Sequence, residues 1–181
     1  MSAAVAYAYA EAVQIEVEDL LRGALGPGMA FARRATLEDD YHGVDLWYVT
    51  SREVPIQIRM RYDRPQFAID DDVSFRTTEP RMIAERTYAP LMAFGWLRRG
   101  RFVAGKLIDI YTMAAGIDPP LASRDVTVNN DGRSGFRTVS IEELFIAKAL
   151  LRVGDRSGWA NALSDSDERL QRVMAKYGSA A

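Results

Sequence analysis

The chain has 181 residues, of which 48% are hydrophobic and 27% charged, and its formal net charge is −2. These values are ordinary for a globular protein, and the length favours one domain. Dedicated nucleic-acid-binding proteins often have a positive net charge, which this chain lacks. The absence of cysteine excludes disulfides and thiolate metal sites, and it favours a cytoplasmic protein. No apolar run approaches a membrane span in length, and no basic segment precedes the apolar N-terminal residues, so we expect neither a membrane helix nor a secretory signal.

The first predicted element is a helix over residues 3–25. Its apolar residues recur every three or four positions, the segment is rich in alanine, and Gly26-Pro27-Gly28 ends it. Glu16 borders the apolar stripe, so its carboxylate lies close to the predicted core. A short strand over residues 29–35 follows, with Arg33 and Arg34 at its exit.

The most informative pattern lies between residues 40 and 62. Two runs rich in Val, Ile, Trp and Tyr flank the polar break Ser51-Arg52-Glu53, which predicts a β-hairpin. In the second run three apolar residues alternate with three polar ones: Ile56, Ile58 and Met60 with Gln57, Arg59 and Arg61. Since side chains alternate across a strand, we expect the two sets on opposite faces. Asp45 lies near the start of the first run, so an acid, an amide and a cation are predicted to meet on one sheet surface.

This arrangement resembles the core motif of the PD-(D/E)XK, or restriction-endonuclease-like, nucleases. In that superfamily an Asp on one strand and a (Glu/Gln)-x-Lys on the next hold a divalent metal that activates water against a phosphodiester. The resemblance implies that Asp45 is the Asp, that Gln57 is the Glu/Gln and that Arg59 stands at the Lys position. It also implies an α+β fold in which helices flank a central mixed β-sheet, with DNA as the partner and Mg²⁺ or Mn²⁺ as the cofactor.

The resemblance assigns roles to several more residues. The implied metal ligands are Asp45, Gln57, the main-chain carbonyl of Ile58, and Glu16. Glu16 is included because many members carry an accessory metal-binding Glu on the first helix; Glu11 is the second candidate, and a solvated helix carboxylate is the alternative. The implied DNA-binding residues are Arg61, Arg33 and Arg34, and Arg59 would stabilise negative charge on the phosphorane.

The match departs from the motif at Arg59 and only partly satisfies it at Gln57. Arg59 stays protonated and cannot exchange a proton as a desolvated Lys can, and Gln57 lacks the negative charge that Mg²⁺ prefers. Three classes of function therefore stay open. The first is a metal-dependent nuclease acting on phage, branched or damaged DNA, and the second is a nuclease-fold protein that binds nucleic acid or a protein without cutting. The third is an unrelated α+β assembly module in which these residues form a surface salt-bridge group.

Residues 72–116 are predicted to complete the nuclease-like core of about residues 1–116. The expected elements are a strand at 72–76, a helix opened by Thr78-Glu79-Pro80, strands at 88–97 and 101–111, and a helix at 112–116. Asp109 is either the cap of that last helix or a second metal ligand, and capping is the commoner role. In its pattern this segment resembles small phage and bacterial members of the superfamily.

Pro119-Pro120 separates a C-terminal third of about residues 120–181 from this core. A hairpin is predicted there, with strands at 125–128 and 136–139 around an Asn-Asn-Asp-Gly turn. Ser140 and Glu143 form a capping box that opens a helix predicted to run through about residue 153, and a mostly polar helix is predicted over 165–177. Many nucleases of this fold cut as dimers, so the C-terminal helices are a predicted homodimer interface.

Overall fold

The computed structural model describes residues 18, 21, 30–34, 46–49, 52–62, 72–99, 101–129, 132, 134–160, 166–177 and 179–180. Glu18 and Leu21 are helical, and they are the part of the predicted N-terminal helix that falls within the description. Leu21 is fully buried, which agrees with its place on the apolar stripe of that helix.

Ten strands are described. In chain order they are β1 (Ala30–Arg34), β2 (Leu46–Val49), β3 (Arg52–Tyr62), β4 (Val73–Arg76), β5 (Leu91–Arg98), β6 (Arg101–Asp109), β7 (Thr127–Val128), β8 (Gly135–Val139), β9 (Leu150–Asp155) and β10 (Ser179–Ala180). Seven of them form a central sheet in the order β1-β2-β3-β5-β6-β9, with β10 paired to the start of β3, and β4-β8-β7 form a second sheet. β3 and β5 run parallel, whereas the other described pairs are antiparallel, so the central sheet is mixed.

Helices lie between and after these strands. They are α1 (Glu79–Ala84), α2 (Ile110–Gly116), α3 (Ile141–Ile146), α4 (Arg156–Ala160) and α5 (Ser166–Tyr177), and a 3₁₀ turn spans Leu121–Ser123. A parallel strand pair needs a crossover connection, and α1 lies in the crossover from β3 to β5. The predicted α+β fold with a central mixed sheet flanked by helices is therefore confirmed.

Each face of the central sheet buries its own apolar cluster. The first cluster joins Ile56 and Leu107 of the sheet to Leu21, Trp159 of α4 and Val173 of α5. The second cluster is formed by the opposite face, the second sheet and the first three helices; its members include Met92, Phe94, Ile108, Val73, Phe75, Ile83, Met113 and Leu144. Because β5 is buried on both faces, it appears in the sequence as a nearly continuous apolar run.

Local signals in the sequence predicted several elements correctly. The predicted strands at 88–97 and 101–111 are present as the antiparallel pair β5–β6, and the predicted C-terminal hairpin is present as β7–β8. Asp109 caps α2: its carboxylate accepts a hydrogen bond from the Thr112 amide at 3.0 Å and another from the Thr112 hydroxyl at 2.6 Å. Since both carboxylate oxygens bond to Thr112, the capping role of Asp109 is the one that the structure shows.

The predicted helix from Ser140 through about residue 153 is wrong in its second half. The capping box of Ser140 and Glu143 is present, but α3 ends at Ile146, and Lys148 takes a left-handed backbone with φ of 56°. The next residues form β9, which extends the central sheet beside β6. A short apolar run fits a helix or a strand equally well, and pairing with the edge of β6 decides between them. The C-terminal third therefore supplies a strand of the central sheet.

Glu143 of α3 is linked to the second sheet through Arg124, whose Nη1 also donates to the Thr138 carbonyl oxygen of β8 at 2.9 Å. Its carboxylate accepts hydrogen bonds from Arg124, with Nη1 at 3.0 Å, and from the Ser140 amide at 2.9 Å. The bonds from Arg124 are the main reason that the pKa of Glu143 falls from 4.5 to about 2.

We expect this pKa to make the protein less stable in acid. Because the pKa of Glu143 is lower in the folded chain, its contribution to the free energy of unfolding is complete above about pH 4.5 and is lost as the pH falls through about 2. Urea denaturation at a series of pH values measures the free energy of unfolding. As the pH falls over this interval, we expect that free energy to decline less steeply for Glu143→Gln than for the wild type. Glu142→Gln, an exposed neighbour, is the control, and equal slopes for all three proteins would contradict the assignment.

Candidate functional site

The β2–β3 hairpin is formed as predicted. Leu46 pairs with Ile56 in the antiparallel ladder, and Val49 pairs with Glu53 next to the turn. Asp45 lies outside the described residues, as do Glu16 and Glu11. In the sequence Leu46 directly follows Asp45, and Ile56 directly precedes Gln57.

The two sets of alternating residues in β3 lie on opposite faces of the sheet. Ile56, Ile58 and Met60 belong to or pack on the first apolar cluster. Gln57, Arg59 and Arg61 contact groups on the other side: Tyr88, Glu79 and Ser74. The prediction that the amide and the cations share one surface is therefore confirmed, and that surface faces the second sheet and α1.

Arg59 forms a two-point ion pair with Glu79, the first residue of α1. Nη2 donates to Oε1 and Nη1 lies 3.2 Å from Oε2, while Nη1 also donates to the main-chain carbonyl of Ser74. The side chains are only 17% and 7% exposed. Glu79 accepts a further hydrogen bond from the Arg76 amide at 2.6 Å, and the Tyr88 hydroxyl lies 3.4 Å from its Oε1. This pair thus ties β3 to β4 and α1.

Thr78 is the N-cap residue of α1, but its side chain makes no capping hydrogen bond. The carboxylate of Glu79 accepts a hydrogen bond from the amide of Arg76, the last residue of β4. The acid at the start of α1 therefore bonds both to the end of β4 and to Arg59.

Gln57 is bonded at both ends of its amide. Nε2 lies 3.2 Å from the Ile58 carbonyl oxygen, and the Tyr88 hydroxyl lies 3.4 Å from Oε1. The same hydroxyl lies 3.4 Å from Glu79 Oε1, so Gln57 and Glu79 converge on Tyr88. Gln57 is 9% exposed and Tyr88 3%. These four residues, Gln57, Arg59, Glu79 and Tyr88, form one buried group that we call the polar cluster.

Tyr111 supports Tyr88 from the start of α2. Its hydroxyl donates to the Tyr88 carbonyl oxygen. Burial, followed by the nearby Tyr177, raises the pKa of Tyr111 to about 12, so the hydroxyl keeps its proton and acts as a donor at neutral pH.

Positive charge extends along the same face of the sheet. Arg61 Nη2 lies 3.0 Å from the Ser74 hydroxyl, and its guanidinium stacks 5.3 Å from the centre of the Phe94 ring. Lys106 pairs with Phe94 across β5 and β6, is fully buried, and places Nζ 5.0 Å from the centre of the Trp96 ring. Sequence reasoning did not single out Lys106, since one Lys in an apolar strand carries no motif.

Arg33 and Arg34, the other predicted DNA-binding residues, end β1. Their backbones pair with Trp47 and Leu46 of β2, next to the candidate hairpin, and their side chains lie outside the description.

Glu79 and Tyr88 are members of the polar cluster that sequence reasoning missed. Glu79 was considered only as a residue at a helix start, and Tyr88 only as part of a predicted strand. They reach Gln57 and Arg59 because the parallel crossover brings residues from α1 and the approach to β5 onto β3. No local spacing in the sequence signals such a contact.

The part of the chain that the structure describes contains no group of three or more His, Cys, Asp or Glu side chains that could hold a metal ion. It does contain two of the implied ligand groups, the Gln57 amide and the Ile58 carbonyl, side by side. Oxygen donors of this kind suit Mg²⁺ or Mn²⁺. The Ile58 carbonyl fits such an ion as it stands, and Gln57 fits it if its amide oxygen takes the place of Nε2 beside that carbonyl; Asp45 and Glu16 are the carboxylates that the resemblance adds.

None of the helices in the described ranges combines the length and the apolar composition that crossing a membrane requires. Searches of family models, curated proteins and solved structures find no match to this chain.

Proposed function

We propose that this chain is a metal-dependent DNA nuclease of the restriction-endonuclease-like kind, which hydrolyses phosphodiester bonds in phage, branched or damaged DNA. The observation that supports this proposal most is the register of the hairpin. Leu46 pairs with Ile56, and these residues are the sequence neighbours of Asp45 and Gln57. The motif needs an Asp and a Gln on adjacent antiparallel strands, and β2 and β3 are paired in this way. The mixed sheet, with helices packed on both faces, agrees with the fold that the resemblance implies.

In this proposal the metal-binding residues are Asp45, Gln57, the Ile58 carbonyl and Glu16. When bound, Mg²⁺ or Mn²⁺ would supply a water of lowered pKa and polarise a phosphoryl oxygen. Gln57 and Ile58 contribute neutral oxygens, so the two carboxylates carry the negative charge that a hard cation prefers.

The arginines act electrostatically. Arg59 is held in place by Glu79, and a guanidinium so fixed stabilises developing negative charge without exchanging a proton. Arg61 adds positive charge on the same face of β3 and is proposed to bind a flanking phosphate. Arg33 and Arg34, at the end of the neighbouring β1, are proposed to contact the DNA backbone.

The second candidate is a nuclease-fold protein that binds nucleic acid without cutting it. The ion pair of Arg59 supports this candidate, because its guanidinium already bonds to Glu79 and to the Ser74 carbonyl. In that case Arg59 has a structural role, and the remaining basic residues of this face account for binding. Affinity for DNA that falls steeply with salt concentration is the expected signature.

Asp45→Ala should abolish the proposed cleavage. Loss of a ligand carboxylate removes several kcal/mol of transition-state stabilisation, so we expect the rate to fall at least about a hundredfold. The measurement is cleavage of plasmid, linear and branched DNA with Mg²⁺ or Mn²⁺, and the matched control is Asp125→Ala, which removes an exposed acid.

Metal-dependent cutting by the wild type and by Asp125→Ala, but not by Asp45→Ala, would support the nuclease and its site together. Salt-sensitive binding with no cutting by any of the three proteins would favour the second candidate. The absence of both cutting and binding would rule out both and leave the unrelated assembly module.

We also propose that the protein acts as a homodimer through the C-terminal helices. Val173 of α5 is buried in the first apolar cluster of its own chain, so the dimer contact would use the exposed side of this helix, where Gln171 and Arg172 lie. The solution mass of the intact chain tests this, and a monomer at high protein concentration would overturn it.

A further inference from the structure

The Gln57 amide lies between a group that only accepts hydrogen bonds and a group that can both donate and accept. On one side the Ile58 carbonyl oxygen is 3.2 Å from Nε2, and on the other the Tyr88 hydroxyl is 3.4 Å from Oε1. The hydroxyl is equally far, 3.4 Å, from Glu79 Oε1. A carboxylate accepts hydrogen bonds but cannot donate, so the Tyr88 proton can go to Gln57 or to Glu79.

A half-turn of the amide gives a second arrangement that keeps its hydrogen bond with Tyr88 but replaces the bond to Ile58 by two oxygens that face each other, which a cation between them would bridge. The amide oxygen would then take the place of Nε2, 3.2 Å from the Ile58 carbonyl oxygen. The amide nitrogen would then donate a hydrogen bond to the Tyr88 oxygen. The Tyr88 hydroxyl, which keeps its proton, would donate its own hydrogen bond to Glu79. Two adjacent oxygens around an octahedral Mg²⁺ at 2.0–2.1 Å are separated by about 3 Å, so the turned amide and the carbonyl have the spacing of a ligand pair.

We propose that Tyr88 and Glu79 are positioning residues that let Gln57 turn its amide oxygen toward a divalent cation beside the Ile58 carbonyl. The inference rests on the proposed function, since it takes Gln57 and Ile58 as metal ligands. Without the ion, the amide donates to Ile58 and accepts from Tyr88. With the ion, the amide oxygen of Gln57 binds the ion. The amide nitrogen then donates to the Tyr88 hydroxyl, which in turn donates to Glu79. Glu79 keeps its ion pair with Arg59 in both states.

The arrangement also accounts for Gln rather than Glu at this position. A carboxylate at position 57 would place an acceptor oxygen about where Nε2 lies, 3.2 Å from the Ile58 carbonyl oxygen, with no proton between them. An amide avoids that repulsion until the ion binds. This gives a physical reason, in this chain, for Gln rather than Glu at the (Glu/Gln) position of the motif.

The test follows the Gln57 side chain directly. The protein is labelled with ¹⁵N in its glutamine side chains, Mg²⁺ is added stepwise, and the NH₂ signals are recorded by NMR, with Gln57→Met identifying the signal of interest. We expect the Gln57 signal to shift and saturate in the wild type. Tyr88→Phe, which keeps the buried ring but loses the hydroxyl, should bind Mg²⁺ about tenfold more weakly. Tyr177→Phe, a half-buried tyrosine outside the polar cluster, should bind it like the wild type.

Mg²⁺ binding by the wild type with an unchanged Gln57 signal would overturn the inference and remove Gln57 from the proposed ligands, but it would leave a metal-dependent nuclease standing. Equal affinity in Tyr88→Phe and Tyr177→Phe would overturn the inference and leave the proposed function standing. A wild type that binds no Mg²⁺ would overturn the inference and the metal-dependent nuclease together. Thermal unfolding of each variant shows whether it is folded, and if Tyr88→Phe is not, the Gln57 signal of the wild type decides.

Discussion

Glu79→Ala should lower the free energy of unfolding by about 3–5 kcal/mol, because it leaves a buried guanidinium without its carboxylate. Arg59 is only 17% exposed on its side chain and forms its two-point ion pair with Glu79. The substitution also removes the acceptor for the Arg76 amide. Urea denaturation at neutral pH measures the loss.

Two comparisons separate the charge effect from other causes. The double variant Arg59→Met with Glu79→Leu removes both charges at similar volume, and we expect it to be more stable than Glu79→Ala alone. Glu85→Ala breaks the exposed ion pair between Glu85 and Arg81 and should cost less than about 1 kcal/mol. If Glu79→Ala costs no more than Glu85→Ala, the polar cluster does not stabilise the fold in the way that we infer.

Trp159→Ala should also cost about 3–5 kcal/mol, since it removes a large buried side chain from the first apolar cluster. Trp159 is 1% exposed, and its ring lies 5.1 Å from that of Phe102 in an edge-on arrangement. The cavity would open between α4 and the central sheet, where Leu107 and Val173 also pack. The same denaturation experiment measures the effect.

Trp159→Phe is the informative partner of that variant. The Trp159 indole nitrogen is buried and has no hydrogen-bond partner within the described ranges, so replacing the indole by a phenyl ring removes a polar group that burial penalises. We expect the free energy of unfolding of Trp159→Phe to lie within about 1 kcal/mol of the wild-type value. Phe145→Ala, at a residue that is 70% exposed on α3, should change stability little. Similar losses in Trp159→Phe and Trp159→Ala would show that the indole itself, rather than an aromatic ring, is needed.

Where a signal is local, the sequence predicted the structure well. The alternation of Gln57 and Arg59 with apolar residues placed them correctly on one face, because strand periodicity needs no knowledge of the rest of the chain. The Asp109 cap and the capping box at Ser140 were also correct, since each involves residues three positions apart. The α+β class was an implication of the resemblance to the nuclease superfamily.

The incorrect and the missing predictions involve contacts between distant residues. Residues 150–153 were assigned to a helix because their apolar pattern fits either element, and only the position of β6 makes them a strand. The partners of Arg59 and Gln57 were missed for a similar reason. Glu79 lies twenty residues beyond Arg59 and Tyr88 lies thirty-one beyond Gln57, so the crossover alone brings them together.

The pairing of β10 with the start of β3 has a consequence for folding. Ser179 lies opposite Glu53, so the strand that carries Gln57 and Arg59 is completed by a segment synthesised long after it. β9 and α5 likewise join the central sheet only after β3, β5 and β6 have been synthesised. Contacts of such high sequence separation slow folding, and the nascent chain exposes unpaired strand edges on the ribosome until they form.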